Sequence, residues 1–150
     1  MPDALARHSY YQFLIEGLLK PEIDAIIESV RNEDKELFNI DAEQAVLGAI
    51  LIDNDAYYRA SIIDPEDFSE DLHKRIFEVV RALIPSGEVV TPITIARLFG
   101  DQDLGNITLV KYLARLAAEA ADITDVRGHV LTVYALSKYR SQMEVQEQKT

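Results

Sequence analysis

The chain has 150 residues, enough for one ordinary domain with a single core, and its 48% hydrophobic and 27% charged content is that of a folded protein. The absence of cysteine excludes disulfides and thiolate zinc sites, and no apolar run reaches the roughly 18 residues a membrane-spanning helix needs. A net charge of −11 sets the molecule against phosphate backbones, whose non-specific binders carry clustered Lys and Arg.

That charge is unevenly spread. Residues 1–39 carry 8 acids and 4 bases, residues 40–107 carry 13 and 5, and residues 108–150 carry 5 and 6. A protein this acidic that works on DNA would do so by touching other proteins. The N-terminus lacks the charged start and apolar run of a secretory signal, so a cytoplasmic location is expected.

Residues 3–19 are rich in apolar side chains (Leu5, Tyr10, Tyr11, Phe13, Leu14, Ile15, Leu18, Leu19) and read as a helix ended by Lys20-Pro21. Pro21 suits the first turn of a second helix, whose Ile23, Ile26, Ile27 and Val30 share one face. Asn32 to Glu36 reads as a solvated connector. This arm, residues 1–38, either covers a core or docks a partner.

Asn39-Ile-Asp-Ala-Glu-Gln-Ala-Val-Leu-Gly48 opens the best-marked helix. Asn39 is a natural N-cap, and Asp41 and Glu43 put negative charge in the first turn. A start two residues later would instead make Asp41 and Gln44 a capping box. Val46, Leu47, Ile50 and Leu51 form the apolar face, and Gly48 among them points to a second helix packed closely.

Asp53-Asn54-Asp55 reads as a turn, Ala56–Ile63 as a short helix, and Asp64-Pro65-Glu66-Asp67-Phe68 as a proline turn that plugs Phe68 into the core. A longer helix begins at Ser69 or Asp71, carries Leu72, Ile76, Phe77, Val80 and Ile84, and stops at Pro85-Ser86-Gly87. Thr91-Pro92 starts the next, Gly100–Gly105 is a loop, and Thr108 caps a helix with an alanine-rich end. Thr124 or Asp125 caps the last helix, with Val126, Val130, Val133, Tyr134 and Ser137 on its buried face and a polar tail at 141–150. The fold class is all-α, a compact multi-helix bundle, with its main domain at residues 39–140.

No catalytic constellation is visible. The six glycines form neither a P-loop nor a dinucleotide fingerprint. His8, His73 and His129 are far apart and read as surface or boundary residues. Asp53/Asp55 and Asp64/Asp67 lie in turns where carboxylates cap helices, and Asp101-x-Asp103 lacks the closing acidic ligands of a calcium loop. No enzyme activity, cofactor or metal is therefore expected.

Several blocks together resemble the N-terminal domain of DnaB-type replicative helicases. They are Asn39–Gly48, Asp64–Phe68, His73-Lys74-Arg75-Ile76-Phe77, Thr91–Ile95 and Tyr112-Leu113-Ala114-Arg115-Leu116-Ala117, in the family's order and spacing over roughly residues 39–140. Thr91-Pro92 and Ala114–Ala120 most resemble alphaproteobacterial members. The resemblance implies a collar module without chemistry of its own, which self-associates above a hexameric motor and docks primase. Its interaction surface is usually a helical hairpin after the globular head. Only the first hairpin helix fits within these residues, and the ATPase motor is absent from them. The 1–38 arm has no clear counterpart.

The resulting expectation is a non-catalytic interaction module of DNA replication whose partners are itself, replicative helicase or primase, with DNA contact weak or indirect. The alternatives are a regulator inserting into a helicase ring and a small all-α DNA-binding protein. The expected self-association face is Val130, Val133, Tyr134 and Ser137, rimmed by Lys138, Tyr139 and Arg140. Core packing is the competing reading for the three apolar ones.

Overall fold

In the computed structural model the backbone is described for residues 4–149 and side chains for residues 12–146. The side chains of Leu5, His8, Tyr10 and Tyr11, and Thr150, lie outside the described residues. Seven α-helices run in the order α1 (Ala4–Glu33), α2 (Ile40–Ile52), α3 (Ala56–Arg59), α4 (Asp71–Leu83), α5 (Pro92–Phe99), α6 (Leu109–Glu119) and α7 (Arg127–Lys149), with 3₁₀ turns at Pro65–Asp67 and Ala120–Asp122. The described residues contain no β-strand, only an isolated bridge between Asp103 and Thr108.

α2 is the central helix, packed against α3, α4, α6 and α7. Its start is set by Asn39, whose side-chain oxygen accepts the Ala42 N–H at 2.9 Å, so the alternative Asp41/Gln44 box does not form. Val46, Leu47 and Ile50 are fully enclosed, and Gly48 meets α6 backbone to backbone. A Cβ at Gly48 would lie 2.2 Å from the Leu116 carbonyl oxygen, which is the close approach the glycine foretold. Ala120, in the 3₁₀ turn directly after α6, completes the contact.

The other caps follow local chemistry. Thr91 and Thr94 bond reciprocally at the start of α5, Gly100 ends it in the left-handed region at φ 75°, and Thr108 accepts the Lys111 N–H. At the proline turn Asp67 accepts the Asp64 N–H at 2.8 Å, and Phe68 behind it is fully buried. Asp125 accepts the Arg127 N–H at 2.9 Å as α7 begins.

Three expectations are corrected. α1 does not break at Pro21 but continues as one helix to Glu33. The carbonyl that the proline ring would crowd, four residues back, belongs to Gly17, which is exposed and has open space where a side chain would be. Solvent can satisfy that carbonyl, so the missing N–H is tolerated. Secondly, α3 spans only Ala56–Arg59, because the chain turns at Ala60 to bury Ile62 and Ile63. Thirdly, His73 is no surface residue; it is 2% exposed.

α1 lies across α7 and covers the core with Ile23, Ile27 and Val30. Polar contacts hold it there. Glu22 pairs with Arg127 at 2.8 Å, the Arg31 guanidinium lies 5.5 Å from the Tyr139 ring, and the Gln12 amide donates to the Ile62 carbonyl and to Asp64.

Candidate interaction surface

The His73 environment is the most concentrated polar chemistry in the described core. Glu43 from α2 is 2% exposed, and its Oε1 is 2.9 Å from His73 Nδ1 on α4. Its Oε2 accepts the Ser69 N–H at 2.9 Å and the Ser69 hydroxyl at 2.6 Å. On the far side of the ring, His73 Nε2 lies 2.7 Å from the Tyr112 hydroxyl of α6, which also accepts from the Gln44 amide at 3.2 Å.

Burial pushes the Glu43 carboxyl upward, but the bonds from His73 and Ser69 outweigh it and hold it below its ordinary value. With Glu43 ionised, Nδ1 carries the donated proton and Nε2 accepts the tyrosine hydroxyl. Burial raises the Tyr112 phenol. Carboxylate, imidazole and phenol could pass a proton along this line, but Glu43 and His73 are sealed from any substrate. Its work is to tie α2, α4 and α6 together.

The seven residues expected to form the self-association face are instead engaged within the chain. Val130, Val133 and Tyr134 are each at most 3% exposed, and Ser137 and Tyr139 are also buried. Burial, with the nearby Glu16 carboxylate, raises the Tyr134 phenol well above its ordinary value. The Lys138 ammonium lies 4.9 Å from the Tyr134 ring centre. Ser137 donates to Asp67 at 2.6 Å, and burial raises the Asp67 carboxyl despite that bond. Arg140 donates to the Leu37 carbonyl at 2.9 Å and to the Asp67 carbonyl at 2.7 Å, clamping the connector and the proline turn. Reaching this face from outside would require α1 to lift. The buried face of α7 was legible, and α2, the proline turn and the covering α1 satisfy it.

One stretch of exposed apolar surface lies on α1. Phe13 is 73% exposed and Leu18 81%, with Leu14 partly covered. Phe13 and Leu14 line an open groove of about 860 Å³ with Val145 of α7, and Leu18, one turn beyond Leu14, extends the apolar edge. Lys20, Asp24 and Lys138 border the groove, Lys20 and Asp24 being paired at 3.0 Å. Single exposed apolar residues are ordinary; here three fall within two turns of one helix. The sequence left this arm open between covering a core and docking a partner; Ile23, Ile27 and Val30 take the first role, and Phe13 and Leu18 stay exposed.

Among the described residues no group of three or more His, Cys, Asp or Glu is arranged to hold a metal, and no helix is long and apolar enough to cross a membrane. The sequence model described as "DnaB-like helicase N terminal domain" matches residues 35–135, from the connector after α1 into α7. The chain belongs to the DnaB-like helicase N-terminal domain family.

Relatives agree. It is 42% identical to the replicative DNA helicase DnaB of Geobacillus stearothermophilus over 104 residues, which are 68% of this chain and 23% of that protein. With the DnaB of Rickettsia typhi the identity is 28% over 140 residues, 87% of this chain and 28% of the relative. The replicative DNA helicase DnaC of Bacillus subtilis is 36% identical over 90 residues, 57% of this chain and 20% of that protein. The chain thus spans about a quarter of the length of these helicases and corresponds to their N-terminal region. No solved structure gives a significant match.

Proposed function

We propose that this chain is a non-catalytic association module of DNA replication, contacting itself, a replicative helicase or primase from the cytoplasm. Its organisation is an arm (1–38) laid over a family-type head (39–140), with α7 continuing into a polar end (141–150). The observation that carries this reading is the exposed apolar edge Phe13, Leu14 and Leu18 beside Val145, on a folded family head whose own core is already closed. The seven α7 residues expected to form that face contribute by holding α1 in position, not by meeting the partner. An acidic body keeps DNA contact weak.

The test is sedimentation velocity of the chain alone, then with a DnaB-type helicase, then with primase. Self-association of the chain alone, or its co-sedimentation with helicase or primase, supports the module. A protein that remains monomeric and ignores both partners overturns it.

A further inference from the structure

A second open groove, of about 850 Å³, lies where the connector between α1 and α2 bridges α1 and α7. Its floor is apolar, made by Ile26 and Val30 of α1 and Leu136 of α7, and Phe38, 43% exposed, stands in its wall. The groove is preformed. Arg140 holds the Leu37 carbonyl, Lys35 N–H bonds back to the Val30 carbonyl at 3.1 Å, and Asp34 turns the chain at φ 53°.

The polar lining is one-sided. Asp34, Glu36 and Asp41 all border the groove, and none has an ion-pair partner among the described residues. The one base in the lining, Lys35, is taken up by Glu33 at 2.8 Å. An apolar floor under an unneutralised acidic rim selects its occupant by charge. Nucleic acid, an anionic membrane and acidic peptides are repelled; an apolar anchor flanked by Lys or Arg is attracted.

We propose that this groove docks a basic amphipathic helical segment of a partner protein, its apolar side chains beside Phe38 and its cations against Asp34, Glu36 and Asp41. The site is separate from the α1 edge beside Val145 and does not depend on the role given to that edge.

The probe is a short helical peptide of leucine, alanine and lysine, with a counterpart in which glutamate replaces lysine. Binding is followed by backbone amide shifts of the intact chain. The lysine peptide should bind, with shifts concentrated at residues 34–41, Thr132 and Leu136, and the glutamate peptide should not. The double variant D34N/E36K keeps a residue tolerant of positive φ at 34 and should weaken binding on the order of tenfold at low salt. The variant E78Q/E88K makes the same change in net charge at exposed positions on α4 and beyond it, and should leave binding within about twofold. Phe38→Ser should weaken binding at high salt as well. Equal losses in the two charge variants, shifts confined to Phe13–Leu18 and Val145, binding of the glutamate peptide, or no binding of the lysine peptide would each overturn the proposal.

Discussion

Replacing Gly48 by alanine sets two known effects against each other at one atom. In an unobstructed helix interior, alanine is favoured over glycine by about 1 kcal/mol. Here the added Cβ would sit 2.2 Å from the Leu116 carbonyl oxygen and 2.9 Å from both the Leu116 carbonyl carbon and the Ala120 Cβ. Two of these three are backbone atoms, so no rotamer change relieves them. α6 must recede from α2 by roughly 1 Å to restore van der Waals separation, which loosens the fully buried Leu109, Leu113 and Leu116 along the whole contact. Overpacking of this kind costs about 1–3 kcal/mol and occasionally more. The rigid backbone places this case at or beyond the upper end, so after the helix gain the net loss should be about 2 kcal/mol. For a chain this size that lowers Tm by about 4–8 °C. Gly128→Ala is the matched control, since a Cβ there meets nothing within 4 Å; it should leave stability unchanged or raise it by less than about 1 kcal/mol. Thermal and urea unfolding followed by circular dichroism reads both. Gly48→Ala as stable as the parent, or the two variants shifting alike, would refute the close α2–α6 approach as its cause.

Glu43→Gln forces an NH₂ group against the His73 or Ser69 donors and should cost about 1–3 kcal/mol at neutral pH. Because the folded Glu43 value lies below its ordinary 4.5, the parent's advantage is complete above that pH and is lost as pH falls through the depressed value. Urea midpoints of parent and variant should therefore converge on acidification; a constant gap would contradict the ionised pair. Asn39→Ala removes the cap bond to Ala42 and should lower stability by about 1 kcal/mol, measured by the same unfolding curves. Titration with duplex or single-stranded DNA at moderate salt should show affinity no better than about 10⁻⁴ M, and a tight, salt-steep curve would contradict the reading of the charge.

Much of the fold could be read from local signals. Asn39, Thr91-Pro92 and Thr108 mark helix starts by chemistry confined to one turn, and each behaves as that chemistry dictates. Gly48 was legible because a glycine inside an apolar face has few explanations. Pro21 misled because the cost of a proline in a helix depends on what surrounds the carbonyl four residues back, here the open Gly17, and local rules do not see that. His73 misled for a related reason. An isolated histidine reads as surface until Glu43, thirty positions earlier, and Tyr112, thirty-nine later, close around it.

The α7 face was closed by the same kind of long-range contact, the core packing that competed with self-association for Val130, Val133 and Tyr134. The apolar stripe of α7 was correctly seen, but α2, the proline turn and α1 close over it, so Val130, Val133 and Tyr134 become core while Phe13 and Leu18 stay outside. Periodicity identifies which face a helix must bury and is silent about which element buries it. Where a helix of thirty residues has apolar side chains on more than one side, only the tertiary arrangement separates the covered from the uncovered.

The α1 edge as the contact surface is tested most directly by sedimentation velocity of the parent and Leu18→Asp across a concentration series, alone and with helicase or primase. Leu18 is 81% exposed, so the substitution should leave the melting curve within about 0.5 kcal/mol of the parent. The parent should form a larger species, alone or with a partner, and the equally folded Leu18→Asp should not. Association undiminished in Leu18→Asp, or none in the parent under any of these conditions, would contradict it.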